Sequence, residues 1–165
     1  MKLKLLFVTL FISFYSFAQI PAGYYTTATG TGYILKTQLY NIIKGHTDNG
    51  YAGLYVTYQT SDRDYFFEND GTILDMYSEN PTGIDPYNYS AGTTDRCGSY
   101  SVEGDCYNRE HIIPQSIFNS SSPMVSDAHF ITPTDGKVNG QRSNYPHGTV
   151  ASATWTSKNG SKLGS

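Results

Sequence analysis

Residues 106–147, CYNREHIIPQSIFNSSSPMVSDAHFITPTDGKVNGQRSNYPH, decide how this chain reads. The stretch crowds carboxylate, imidazole, guanidinium and amide side chains into two groups. Asn108, Arg109, Glu110 and His111 come first; Asn139, Arg142 and Asn144 follow about one supersecondary unit later. Everything else in the chain must hold those two groups against each other.

The residue types fit the cleavage of a phosphodiester. That reaction needs a base to deprotonate water, a cation to neutralise charge building on the phosphate and the leaving oxygen, and groups that keep the phosphate in line. His111 offers a base that titrates near working pH. Glu110 and Asn139 offer hard oxygen ligands of the kind Mg²⁺ accepts while it keeps several waters. If Glu110 and His111 lie in extended chain their side chains diverge, so one can hold metal on one side of a phosphate while the other works on the opposite side. Pro114 then ends the extended segment. Asn139 and Arg142 are three apart, so a short helix opening near Thr134 or Asp135 puts them on one face, although Gly136 and Gly140 weaken that helix.

Competing motifs fail on spacing. A zinc protease of the H-E-x-x-H type needs the His before the Glu, and the inverted H-x-x-E-H type needs a His where Tyr107 stands. A serine hydrolase elbow, G-x-S-x-G, is absent from the sequence.

The flanks bound the setting. Lys2 and Lys4, an apolar run from Leu5 to Phe17, and small residues at Ser16 and Ala18 read as a secretory signal peptide over residues 1–18, too short for a membrane span. Without it, nine Lys plus Arg face 14 Asp plus Glu, a net charge of −5. Nucleic-acid affinity normally comes from Lys and Arg releasing counterions, so a nuclease reading rests on local charge. The acid is concentrated upstream: residues 19–96 hold nine acids against four bases, and residues 97–165 hold five of each. Residues 19–165 suffice for one domain, with 14 tyrosines supplying much of its bulk. Cys97 and Cys106, in an exported chain, are expected to pair and close the loop CGSYSVEGDC, a link worth roughly 2 to 3 kcal/mol. Two thiols nine apart lack the paired C-x-x-C spacing, which makes metal binding by them the weaker alternative.

Along the chain, an N-cap at Thr31 and the face formed by Ile34, Leu35, Leu39, Ile42 and Ile43 predict a helix that stops at Gly45. Alternation of Leu54, Val56 and Tyr58 against Tyr55 and Thr57 predicts a strand over 51–59, with further strands at 65–67 and 72–77. Residues 78–96 read as a long loop. His46, in the KGHTDNG turn, receives no role.

These residues resemble the bacterial endonuclease I family of secreted or periplasmic nucleases, within the ββα-metal (His-Me finger) group. The likeness rests on CGSYSVEGDCYNREHIIPQSIF, PMVSDAHFITPTDGKVNGQRSNYPHG, IIKGHTDNGYAGLYVTY and LDMYSENP, and so spans nearly all of residues 19–165. It implies an α+β fold of mixed helices and short antiparallel strands around a ββα unit. It also implies metal-dependent cleavage of DNA, often RNA as well, with little sequence preference and 5′-phosphate products. His111 matches the general base, and Glu110 and Asn139 match the two protein ligands of one Mg²⁺, with Mn²⁺ or Ca²⁺ as alternatives. Arg142 matches the arginine after the ligand Asn and is assigned to phosphate contact; Arg109 is either a second phosphate contact or a structural ion pair. Asp127 and His129 resemble the family's D-x-H element, with a supporting or structural role behind the ligands. His147 stands where an aromatic residue is expected. The competing reading is a secreted binding module that kept the scaffold and lost activity. A monomer, free of membrane after signal cleavage, is expected.

Residues 148–165 carry only Val150, Trp155 and Leu163 as large apolar groups. They are expected to form no helix or strand, and the chain reads as a C-terminally truncated member of the family it resembles.

Overall fold

The computed structural model describes residues 20–165, so the leader expected at residues 1–18 lies outside the described residues. The chain divides into two compact units, one ending at His46 and the other running from Thr47 to Ser165. The first unit carries helix α1, Gly32–Ile43, with Thr31 at its N-cap as its apolar period requires and Lys44 at its C-cap. The second unit holds both groups of site residues.

The second unit is mixed α+β. Helix α2 spans Gly50–Ser61, strand β1 Tyr107–His111, strand β2 Ile131–Asp135, helix α3 Gly136–Arg142, strand β3 Ala153–Thr156 and strand β4 Lys162–Gly164. A 3₁₀ turn, Gln115–Ile117, follows Pro114. β1 and β2 are antiparallel, pairing Tyr107 with Asp135, Glu110 with Thr132 and His111 with Ile131. α3 follows β2 directly, so the central unit reads strand, strand, helix.

The strand expected at 51–59 is a correction, because α2 occupies that stretch. The period-2 reading placed Val56 beside Leu54 and Tyr58, yet Val56 is 63% exposed. The buried or partly buried hydrophobic positions are Tyr51, Leu54, Tyr55 and Tyr58, spaced i, i+3, i+4, i+7, which is a helical face. That face packs with Ile73, Tyr89, Tyr107 and Ile131 to make the core of this unit. The strands expected at 65–67 and 72–77 do not form either. The Asp64 carboxylate accepts hydrogen bonds from the N–H groups of Phe66, Phe67 and Asn69, at 3.0, 2.9 and 3.1 Å. This coils the chain into a turn and leaves only the isolated bridge Arg63 to Ile73.

Glycines in α3 have a packing reason that propensity alone conceals. A Cβ on Gly136 would lie 2.6 Å from Cys97 Sγ and 2.7 Å from Tyr100 Cδ1, and one on Gly140 2.5 Å from the Tyr100 hydroxyl. The helix therefore presents a bare stripe to Tyr100 and to the Cys97–Cys106 disulfide, which forms as expected with 5.0 Å between Cα atoms. The last 18 residues also differ from expectation. β3 and β4 pair as an antiparallel hairpin with Trp155 opposite Leu163, since cross-strand backbone bonds and one aromatic–aliphatic pair suffice for a short ribbon.

A buried acid braces the central unit. Asp75 Oδ1 accepts from the Thr134 hydroxyl at 2.6 Å and from the Tyr77 N–H at 2.9 Å, and its Oδ2 accepts from the Asp135 N–H at 2.8 Å. Burial raises its pKa above the ordinary carboxyl value, an effect these donors oppose. Asp75→Ala should cost about 3 kcal/mol or more, because it strands a buried hydroxyl and two main-chain N–H groups. Denaturant unfolding checks this: a loss below about 1 kcal/mol would mean the brace is idle.

Candidate active site

β1 places Glu110 and His111 on opposite faces, as extended geometry demands, and both are buried. On one side, Glu110 Oε1 accepts from the Tyr77 hydroxyl at 2.6 Å and meets Arg142 Nη1 at 3.1 Å. No described residue donates to its Oε2. The Tyr77 hydroxyl also contacts His147 Nε2 at 2.9 Å. Burial raises the Glu110 pKa above its ordinary value, against the lowering effects of Tyr77 and Arg142. A carboxylate burdened in this way gains from a nearby cation. Tyr77 is raised as well, by burial and then by Glu110, so it remains a phenol and a hydrogen-bond donor.

On the other side, His111 stacks on Tyr51 with ring centroids 5.6 Å apart and lies 5.8 Å from Phe118. Gln115 Nε2 donates to His111 Nδ1 at 3.2 Å. Nε2 is buried without a hydrogen-bond partner of good geometry. Burial holds the imidazole below its usual value; the Val125 main chain opposes this and the Arg109 charge adds to it. The ring therefore stays neutral, with a lone pair on Nδ1 where Gln115 donates.

α3 supplies the second group. Its N-cap, Asp135, accepts the Val138 N–H at 2.8 Å through Oδ1. Through Oδ2 it takes the Tyr89 hydroxyl at 2.5 Å and the Gly104 N–H at 2.9 Å. One residue later than Val138, Asn139 Nδ2 donates to Asn108 Oδ1 at 2.6 Å and to the Arg109 carbonyl at 3.4 Å. Because a carbonyl can only accept, the amide nitrogen must point at β1, and the amide oxygen is the end without a protein donor. Glu110, His111, Gln115, Asn139 and Arg142 line one small pocket of about 120 Å³.

The two arginines are more committed than the sequence suggested. Arg142 Nη1 donates to the His111 carbonyl at 2.9 Å and Nη2 to the Ile112 carbonyl, so the side chain ties α3 to the end of β1; only its Nε lacks a partner. Arg109 lies over the rings of Tyr51 and Tyr55, at 3.6 and 4.4 Å from their centroids, and donates to the Tyr51 carbonyl at 3.0 Å. It makes neither the ion pair nor an open phosphate clamp in this state. Asp127 and His129 stand apart from the pocket. Asp127 Oδ1 accepts the His129 N–H at 2.9 Å in the turn that leads into β2, and the His129 side chain is 99% exposed.

Tyr77 and Gln115 escaped the sequence reading, while Asn108 was placed in the first group and His147 noted at an aromatic position, both without the partners seen here. Each lies far from its partner in the chain or makes an ordinary polar contact, and only the LDMYSENP segment hinted that Tyr77 mattered. A second acidic group also exists: carboxylate oxygens of Asp64, Glu68 and Glu79 all lie within 4.8 Å of one another. Burial, then repulsion from Asp85, Glu68, Asp64 and Asp70, pushes Glu79 up to about 7. In this cluster Asp64 is already occupied as a turn former, while both Glu79 oxygens are buried without a partner. Glu110 Oε2 and Asn139 Oδ1 likewise have no protein donor.

The family model described as Endonuclease I matches residues 31–165. An extracellular ribonuclease of Bacillus amyloliquefaciens is 30% identical over 124 residues, which cover 73% of this chain and 38% of that protein. The chain thus spans well under half the length of the curated relative it matches. No solved structure matches the chain.

The electrostatics can be checked without substrate. In an NMR titration the His111 ring should change protonation below the ordinary 6.5, and Arg109→Met should move that midpoint upward by removing a nearby positive charge. A His111 midpoint at or above 6.5 would contradict the burial described.

Proposed function

The chain belongs to the endonuclease I family, and on that premise we propose that it hydrolyses phosphodiester bonds of nucleic acid, with one divalent cation held by Glu110 and Asn139 and with His111 as general base. The observation that carries this is the convergence on one pocket of Glu110 and Asn139, whose Oε2 and Oδ1 have no protein donor, with the His111 imidazole, whose Nδ1 lone pair is met only by the 3.2 Å hydrogen bond from Gln115. Two hard oxygens of a carboxylate and an amide suit Mg²⁺, with Mn²⁺ or Ca²⁺ as substitutes, and burial of Glu110 favours a cation beside it. Bound there, the ion would supply Lewis acidity toward the phosphate and its departing oxygen.

The chain's own residues do the rest. Tyr77 and Arg142 occupy Oε1 of Glu110, which fixes the carboxylate and turns Oε2 to the pocket. Asn108 does the same for Asn139 by taking its amide N–H. His111 Nδ1 takes a proton from a water lined up with phosphorus, and the stacked rings of Tyr51 and Phe118 keep the imidazole in place and neutral. Arg142 supplies its positive charge to a phosphate oxygen, while its N–H groups are committed mainly to the β1 exit and to Glu110. Arg109 supports α2 and acts on the site through charge. Asp127 and His129 shape the turn before β2.

Both DNA and RNA are proposed substrates, and the printed name of the ribonuclease relative makes RNA the first to try. Cleavage leaves a 5′-phosphate. The leader-like residues 1–18, the disulfide and the extracellular relative together support a secreted or periplasmic protein. Among the described residues no helix is long and apolar enough to cross a membrane.

Substitutions separate the roles. His111→Ala should lower the cleavage rate by about 10² to 10⁴ while metal affinity, read by calorimetry, stays intact. Glu110→Gln and Asn139→Ala should each weaken metal binding, and excess metal should partly restore their rates. If metal binding disappears with His111→Ala, or excess metal rescues neither ligand variant, the assignment of roles is reversed.

A further inference from the structure

A groove of about 650 Å³ opens next to the small pocket, between α3, residues 145–150 and the β3–β4 hairpin. Arg142 lines both spaces, so the two adjoin at its side chain. Tyr77 and His147, hydrogen-bonded at 2.9 Å, form the wall on the Glu110 side. The far wall carries Trp155 and Lys162, with Tyr145 at the rim and 59% exposed.

Its chemistry differs from the rest of the surface. The chain has 14 acids against 11 Lys plus Arg, yet no Asp or Glu lines this groove, and its two full charges are those of Arg142 and Lys162. Most of the lining is apolar or aromatic. A surface meant for phosphates alone would be dominated by cations and N–H donors. This one suits a ligand that presents flat apolar faces and carries negative charge at its edge. In a duplex those faces are stacked on each other and unavailable; in a single strand they are free to stack on aromatic side chains. The volume lies in the range of pockets that enclose small ligands, enough for a short oligonucleotide segment.

We infer that this groove binds the unpaired bases adjoining the scissile phosphate, with Trp155 as the stacking platform and Lys162 contacting a neighbouring phosphate. The inference rests on the proposed nuclease reading and names its substrate class: single-stranded nucleic acid, ribo or deoxyribo. Cleavage would then favour unpaired regions over intact duplex, because only they can fill the groove.

Trp155 is the chain's single tryptophan, so it reports its own occupancy. The His111→Ala chain, kept with a chelator to prevent cleavage, is titrated with short single-stranded RNA, single-stranded DNA and a duplex of equal length. Saturable quenching of tryptophan fluorescence is expected with either single strand, and much weaker quenching with duplex. In a labelled-oligonucleotide anisotropy assay, Trp155→Ala should weaken single-strand binding about tenfold, while Trp155→Phe, which keeps a stacking face and controls for folding, recovers most of it. Lys162→Ala should reduce the slope of log affinity against log salt by about one. Separately, cleavage by the chain with His111 intact is measured on the same strands. Cleavage that persists while oligonucleotide binding leaves Trp155 unquenched, or affinity for duplex equal to that for single strands, overturns the groove and leaves the nuclease reading standing. Absence of both cleavage and binding overturns the two together.

Discussion

Two buried carboxylates, Asp75 and Asp135, fix the geometry on which the site depends. Asp75 grips the end of β2 through Thr134 and the Asp135 N–H, and Asp135 then caps α3 while accepting from Tyr89 and Gly104. α3 has only seven residues, far too few to be stable by propensity. It exists because its first turn is held by a cap and its flank by Tyr100 and the disulfide. Asn139 meets Asn108, and Arg142 meets Glu110, only while that short helix stays in register with β1. The polar network thus does for this site what a larger apolar core does elsewhere, and the core itself is largely tyrosine, with hydroxyls that reach backbone and carboxylate partners.

The positive charge is spent in an unusual direction. Arg109 lies between tyrosine rings of α2, and Arg142 closes the gap between α3 and the carbonyls after β1. Cations that a nucleic-acid protein commonly shows to solvent are here used to join elements and to balance Glu110. In a chain whose residues 19–165 carry a net charge of −5, this leaves little long-range attraction for a polyanion. Recognition must then come from short-range fit around the pocket.

Local chemistry was legible in the sequence wherever a residue's role follows from its immediate neighbours. The divergence of Glu110 and His111, the helix that brings Asn139 and Arg142 to one face, and α1 follow from spacing, and the Cys97–Cys106 link follows from two cysteines in a chain that reads as exported. Three features were hidden for physical reasons. Tyrosine serves strands and helix faces alike, so α2 could be read with period 2 until the exposure of Val56 settled the matter. Gly136 and Gly140 looked like helix breakers because the ring that needs their missing Cβ atoms, Tyr100, is far away in sequence. The pairing of β3 with β4 depends on backbone bonds between segments poor in apolar residues, which leaves little pattern to find. The link from His147 through Tyr77 to Glu110 joins residues far apart in sequence and appears only in the fold.

The central claim is that Glu110 and Asn139 together form the metal site while His111 stays off it. Anomalous diffraction from a crystal of this chain soaked in Mn²⁺ tests it most directly. The account predicts one peak bonded to Glu110 Oε2 and Asn139 Oδ1, with no bond to a His111 nitrogen. A peak coordinated by His111, or one confined to Asp64, Glu68 and Glu79, would contradict it.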